Sequence, residues 1–356
     1  MTRARDLGIP LHGEPGPHNA ITDVPGIEVG YTTLVEGAGV RTGVTAILPR
    51  GRSGFDVPCA AGTHVLNGNG ELTGAAWLAE SGSLTLPVLI TNTHAVGPCH
   101  RGVIDWVVRE RPGAADQWLL PVVAETWDGY LNDINAPTVQ PAHAVAAIDA
   151  ARGGAVPEGS VGGGTGMNCY GYKGGSGTAS RVVAHGADRY TVGAFVQANF
   201  GSRRDLTVAG VHVGPQLAED NPMEGVAVPG AGSVIVVIGT DAPLLPGQCA
   251  ALARRVPLGL ARTGTFGSHF SGDLFLAFST ANPGALTSAF PDQDTPWYES
   301  MRFVPWSRID PFLDAVVQSV EEAVLNALVC NEEMVGRAGH RTPALPTTAL
   351  RSLLSR

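Results

Sequence analysis

Lysine is almost absent. Of 23 basic residues in this 356-residue chain only Lys173 is a lysine; the rest are arginine. Charged residues make up 15% of the chain against 44% hydrophobic ones, a balance that excludes a disordered polymer. The formal charge of −9, with no basic cluster against it, excludes nucleic acid as an expected partner. No apolar run approaches a bilayer span, and no basic head followed by an apolar segment opens the chain, so neither a membrane partner nor export is expected. The five cysteines (Cys59, Cys99, Cys169, Cys249, Cys330) are scattered and odd in number. They read as buried thiols in a reducing compartment, and the expected location is cytoplasmic. None of the ten histidines forms HExxH, and no His/Cys/Asp set has a metal spacing, so no metal is expected. A GxSxG elbow is missing too, which disfavours an α/β-hydrolase triad.

Glycine (47) and proline (26) are abundant, pointing to short elements joined by tight turns. Ile21 to Leu48 alternates apolar and polar residues and predicts a hairpin, with Pro25-Gly26 as a turn. An Asn67–Gly70 loop leads to a helix expected over Leu72–Leu78. Pro87–Asn92, Tyr190–Asn199 and Ser233–Thr240 read as buried strands; Ala95–Val108, Ala142–Ala151, Pro246–Leu260 and Pro311–Cys330 read as helices, and Asn221–Gly232 as an excursion. Buried strands alternating with helices give an α/β fold with sheets covered on their faces. The segment GGGTGMNCYGYKGGSG (Gly162–Gly177) has neither a phosphate-loop nor a dinucleotide spacing. Its glycines predict backbone lying against another segment or a substrate. Lys173, inside it, is a candidate site residue because a buried lysine can give up its proton and an arginine cannot; biased codon usage is the competing reading.

In RTGTFGSHFSGDLFLAFST (Arg262–Thr280) a polar loop runs into the apolar strand Leu274–Phe278, leaving Ser271 at its mouth. His269 lies two residues upstream, but adjacency in sequence does not make a triad. A serine can also be activated without histidine. If the bond before it is cut, its own α-amine, with a pKa of about 8, can take the hydroxyl proton.

The run Ser271–Thr280 resembles that of the DmpA/BapA type, the L-aminopeptidase/D-amidase-esterases and β-peptidyl aminopeptidases. ITDVPGIEVGYTT (Ile21–Thr33), RTGVTAILP (Arg41–Pro49), ETWDGYLND (Glu125–Asp133), GTGMNCYGYKGG (Gly164–Gly175), QANFGS (Gln197–Ser202), GTDAPLLP (Gly239–Pro246) and QSVEEAVLNAL (Gln318–Leu328) carry the likeness over most of the chain. The resemblance implies a self-processing N-terminal-nucleophile serine hydrolase with a four-layer α/β/β/α sandwich like that of ornithine acetyltransferase. One precursor would be cut into a large subunit, 1–270, and a small one, 271–356. No metal or cofactor is implied, the substrates are small peptides, amides or esters, and the assembly is a homo-oligomer such as a tetramer of αβ units.

Carried over by position, Ser271 is the nucleophile, Asn199 an oxyanion-hole amide, and Glu125 the group that holds the substrate's free ammonium. Ser319 and Glu321 match a Ser-x-Glu pair that orients the new amine, and Lys173 matches a lysine used by nylon-oligomer hydrolases. Trp127 stands where some members have a tyrosine near the oxyanion site; an indole donates one hydrogen bond but cannot act as an acid. Read from the residues alone, Asn199 could instead end a strand and Glu125 pair with an arginine. Ser319 and Glu321 would diverge on a regular helix, leaving Glu322 as an alternative partner. Phe270 precedes the nucleophile where the family more often has a small or polar residue, and Gly267-Ser268 is a rival scissile bond. The competing activities are a nylon-oligomer-type amidase indifferent to a free N-terminus and an ornithine acetyltransferase, which normally uses threonine; an uncut, non-catalytic relative is the third alternative.

Overall fold

A computed structural model describes residues 2–225 and 232–355. Two stacked sheets carry the architecture. β1 (Glu28–Glu36), β2 (Val40–Leu48), β5 (Val88–Asn92) and β6 (Val122–Thr126) form a four-stranded sheet in that order. The six-stranded sheet contains β3 (Cys59–Gly68), β4 (Ser83–Leu84), β7 (Gly175–His185), β8 (Asp188–Asn199), β9 (Gly232–Thr240) and β10 (Ser271–Ser279), ordered β4-β3-β10-β9-β8-β7. Of the helices, α1 (Ala75–Ser81) lies beside β3. α2 (Val96–Glu110) and α3 (Pro141–Asp149) cover the four-stranded sheet. α4 (Pro246–Ala253), α5 (Val256–Ala261) and α6 (Asp310–Val329) form the opposite layer, where α4 and α6 pack on the six-stranded sheet and α5 on α6. The result is the expected α/β/β/α sandwich. No helix among the described residues is long and apolar enough to cross a membrane.

Period-two alternation feeds three apolar layers. In β9, Ile235 and Val237 enter the core between the sheets, while Val234, Val236 and Ile238 enter the core under α4–α6. Likewise β10 sends Leu274, Leu276 and Phe278 between the sheets and Phe275 and Ala277 outward. A third layer joins the four-stranded sheet to α2 and α3 through residues such as Leu89, Val123, Val103 and Trp106. Each such side chain, fully buried, contributes roughly 1.5–3 kcal/mol. Close approach explains one glycine of the dense segment: a Cβ on Gly177 would sit 2.0 Å from the Ala323 carbonyl oxygen of α6.

Three boundaries differ from the sequence reading. The hairpin is β1–β2, and its turn lies between Glu36 and Val40; Pro25-Gly26 precedes the first strand. Helix α1 starts at Ala75 because Leu72 bridges to Ala124 of β6 and Gly74 takes a left-handed φ of 72°. The expected helix Pro246–Leu260 is two helices, α4 and α5. Pro257 lacks an amide proton and its ring would meet the carbonyl four residues back, so the α-helical ladder breaks at Arg254–Arg255. Of the expected Asn221–Gly232 loop, residues 226–231 lie outside the described residues.

Candidate active site

Strand ends converge at one edge of the sandwich. β6 delivers Glu125, β5 leads to Thr93, β8 ends at Asn199, β9 begins beside Ser233, and β10 begins at Ser271. Of these, Glu125, Thr93, Asn199 and Ser233 line, with the Asn69–Glu71 segment, Trp127 and Phe270, a cleft of about 950 Å³. β10 pairs in parallel with β9, Gly232 opposite Ser271, and antiparallel with β3, Asn67 opposite Asp273. A β-bulge follows at Asp273/Leu274, a device that re-aims side chains beside a site. Gly272 is obligatory here: a Cβ would lie 2.2 Å from the Asn69 carbonyl oxygen, which crosses over it.

Ser271 is buried, and its hydroxyl donates to Asp273 Oδ1 at 2.6 Å. Its amide nitrogen donates to the Ser268 carbonyl at 2.9 Å. Asn67 Nδ2 donates to Asp273 Oδ2 at 3.0 Å, and burial raises the Asp273 carboxyl above its ordinary range. Ser271 does not itself line the cleft. Phe270, 55% exposed, stands at that point of the wall.

Glu125 is 2% exposed yet faces the cleft. One carboxylate oxygen accepts the Glu71 amide proton at 2.9 Å, and the other accepts the Thr93 hydroxyl proton. No lysine or arginine pairs with it among the described residues, so the arginine reading does not hold. Burial, opposed by these hydrogen bonds, raises its pKa.

Asn199 is fully engaged. Its Nδ2 donates to the Trp127 carbonyl at 2.9 Å and to Ser233 Oγ at 3.3 Å, while Oδ1 accepts the Asn168 amide proton at 2.9 Å. Ser233 Oγ also accepts the Trp127 amide proton at 3.0 Å, which leaves its own proton to be offered elsewhere. The Trp127 side chain is 46% exposed on the cleft wall.

Lys173 is completely buried and donates to the carbonyls of Met167 and Gly174, each at 2.8 Å. Burial lowers its pKa to about 7. It reaches the site only through the backbone: Lys173 pairs with Asn168, whose amide holds Asn199. Lys173→Met would remove two buried hydrogen bonds, while the Met167 carbonyl keeps the Gly174 amide and the Gly174 carbonyl keeps the Asn331 side chain; it should destabilise the fold by about 1–3 kcal/mol in denaturant titration. The sign with pH follows. Between about 7 and the ordinary lysine value the unfolded chain holds a proton that the folded one lacks, so the lysine's contribution grows with pH. The deficit of Lys173→Met relative to wild type should therefore widen from about pH 7 to about pH 9.

Ser319 and Glu321 are not brought to Ser271. On the regular helix α6 the Ser319 hydroxyl donates to the carbonyls of Ala315 (2.8 Å) and Val316 (3.1 Å), and Glu321 pairs with Arg262 at 3.0 Å. Two positions along an α-helix is about 200° of turn, so the two side chains diverge. Glu322 is no substitute; it binds Arg5 and Arg181. Asn69, Thr93, Ser233 and Asp273 escaped the sequence reading. Asp273 had a visible signal in its place two residues after the serine, which puts both on one face of a strand.

The chain is 46% identical to the β-peptidyl aminopeptidase BapA of Sphingosinicella microcystinivorans, over 99% of this chain and 92% of that protein. The L-aminopeptidase D-Ala-esterase/amidase of Ochrobactrum anthropi, described as a variant of the Ntn hydrolase fold, superposes with a TM-score of 0.93 at 44% identity, covering 100% and 98% of the two chains. A Burkholderia sp. β-aminopeptidase gives a TM-score of 0.91 at 47% identity, over 99% and 98%. The sequence model for peptidase family S58 matches residues 19–342, and the chain belongs to that family.

Proposed function

We propose that this protein is a self-processing serine aminopeptidase. It cuts its backbone between Phe270 and Ser271, leaving 1–270 and 271–356 as large and small subunits. It then releases N-terminal residues from small peptides, amides or esters through an acyl-enzyme on Ser271. The observation that carries this reading is Glu125, a buried carboxylate in the wall of the cleft that no lysine or arginine pairs with among the described residues. A buried charge left unpaired is costly, and a substrate ammonium supplies the missing cation. Recognition of an amine places no demand on the stereochemistry or spacing of the following carbons, so D- and β-residues fit, in keeping with the activities in the relatives' names.

In the cut enzyme the α-amine of Ser271, with a pKa of about 8, takes the hydroxyl proton as Oγ attacks the substrate carbonyl, and returns it to the leaving amine. Asn199 serves the oxyanion by exchanging one of its present bonds, to Trp127 or Ser233, for the substrate oxygen; Ser233 offers its free proton beside it. Trp127 shapes the wall next to the substrate. Lys173 positions Asn199 through Asn168. The unit assembles as a homo-oligomer in the cytoplasm: Trp297 and Tyr298, each 94% exposed, are large side chains that an interface would cover, and the cysteines are unpaired.

N-acetylation of the substrate tests the reading. β-Ala p-nitroanilide should be hydrolysed, and its N-acetyl derivative should lose about 10²-fold or more in kcat/KM, the worth of a charge-assisted bond of about 3 kcal/mol. Equal rates would instead support an amidase that ignores the N-terminus.

A further inference from the structure

Self-cleavage poses a problem that the mature mechanism does not solve. Before the cut, the nitrogen of Ser271 is an amide and cannot act as a base. Another group has to take the hydroxyl proton, and another donor has to meet the oxyanion, which forms on Phe270 and not on a substrate in the cleft.

The uncut chain holds both. The Ser271 hydroxyl already donates to Asp273 Oδ1 at 2.6 Å. Asp273 is 3% exposed and has no basic partner among the described residues; Asn67 Nδ2 fixes its other oxygen at 3.0 Å. On the other side of the bond, the Phe270 carbonyl oxygen accepts from Asn69 Nδ2 at 3.2 Å and from the Gly232 amide at 3.4 Å. The Gly232 contact belongs to the ladder between β9 and β10. The Asn69 contact does not: it is a side chain brought over the scissile carbonyl by a loop that crosses Gly272.

We propose that the precursor shares Ser271 with the hydrolytic enzyme but uses different groups around it for processing: Asp273 is the base for the Ser271 hydroxyl, and Asn69 and the Gly232 amide, both in the wall of the cleft, are the oxyanion donors for the Phe270 carbonyl. This rests on Ser271 being the nucleophile. Oγ bonds to the Phe270 carbonyl carbon while its proton passes to Asp273, and the carbonyl π-pair moves to the oxygen between Asn69 and Gly232. Collapse breaks the carbon–nitrogen bond, and the Ser271 nitrogen takes the proton from Asp273. The product is an ester between Phe270 and Ser271 Oγ. Water then adds hydroxide to the carbon and a proton to Oγ, freeing the Phe270 carboxyl and the Ser271 amine. Burial, which raises the Asp273 carboxyl, makes it the better proton acceptor.

The experiment follows the 271–356 fragment by denaturing gel and intact mass after cell-free synthesis of wild type, Asn69→Ala and Asp273→Asn. Asn69→Ala should form the fragment about 10²–10³-fold more slowly, the usual loss for one oxyanion donor, and Asp273→Asn about 10²–10⁴-fold more slowly, the usual loss for a general base. Asn69 is exposed, so truncating it leaves the core intact, and Asp273→Asn keeps the shape of a buried side chain; circular dichroism melts confirm that the uncut variants are folded. Wild type cut while folded Asn69→Ala is cut at the same rate overturns the processing site and leaves the assignment of Ser271 standing. No fragment from wild type would overturn both.

Discussion

Ser271→Ala should yield a single 356-residue chain that never separates into fragments and hydrolyses neither β-Ala nor D-Ala p-nitroanilide. The change removes one buried oxygen. Asp273 loses the hydroxyl proton at 2.6 Å but keeps Asn67, so the fold survives. Activity should fall by at least about 10⁴-fold, because loss of a nucleophile removes the whole covalent route. Intact mass of the wild-type small fragment separates the two scissile bonds, since cutting at Gly267-Ser268 would add three residues to its start. Geometry favours the Phe270 bond: its carbonyl accepts from Asn69 and from the Gly232 amide, beside a serine hydroxyl already paired with a carboxylate, whereas the Gly267 carbonyl of the rival bond accepts from Asn67 at 3.3 Å. A wild-type small fragment that begins at Ser268, or a Ser271→Ala chain that still divides, would move the nucleophile elsewhere.

Glu125→Gln is expected to have the next largest effect. Glutamine fills the same space: its oxygen can accept from the Glu71 amide and its Nε2 can donate to the Thr93 hydroxyl oxygen, but it brings no charge. Hydrolysis of free-amine substrates should drop by about 10²-fold in kcat/KM, mostly through KM, because the ammonium is held in the ground state and the transition state alike. The fragment pattern should not change. The carboxylate must be ionised to hold the ammonium, and its pKa lies above that of an ordinary glutamate. On the acid side, wild-type kcat/KM should therefore begin to fall at a higher pH than an exposed carboxylate would give, and the variant should lose that limb of the profile. A variant that keeps both the rate and the limb would take Glu125 out of substrate binding.

The sequence reading was reliable where one local pattern decides the structure. An apolar run such as Leu274–Phe278 has no alternative to a buried strand, and β10 covers it. It erred where a single residue overrides a pattern: Pro257 splits a helix whose composition is otherwise continuous, and Gly74 postpones another. Within the site, Asn199 and Ser271 lie at the ends of strands that the sequence marks, so placing the strands placed them; Glu125 lies on β6, a strand that no local pattern marks. Asn69 is different. Nothing around it marks a function, because its position over the Phe270 carbonyl depends on β3 pairing with β10 some two hundred residues later. Ser319 and Glu321 show the opposite failure, a short pattern transferred to a helix whose geometry sends the two side chains to different neighbours.

β10 lies inside its sheet, hydrogen-bonded to β3 and β9, and all of its residues are buried. Severing the chain before it cannot let the small piece go, because a central strand and the long helix α6 leave with it only if both the six-stranded sheet and its helix layer come apart. The proposed cut would instead change what unfolding means. An intact chain that opens can close again by itself, whereas a divided one must find its other half, so its return becomes second order in concentration. The proposed processing would thus convert a reversible fold into one whose persistence is set by the height of the barrier to opening.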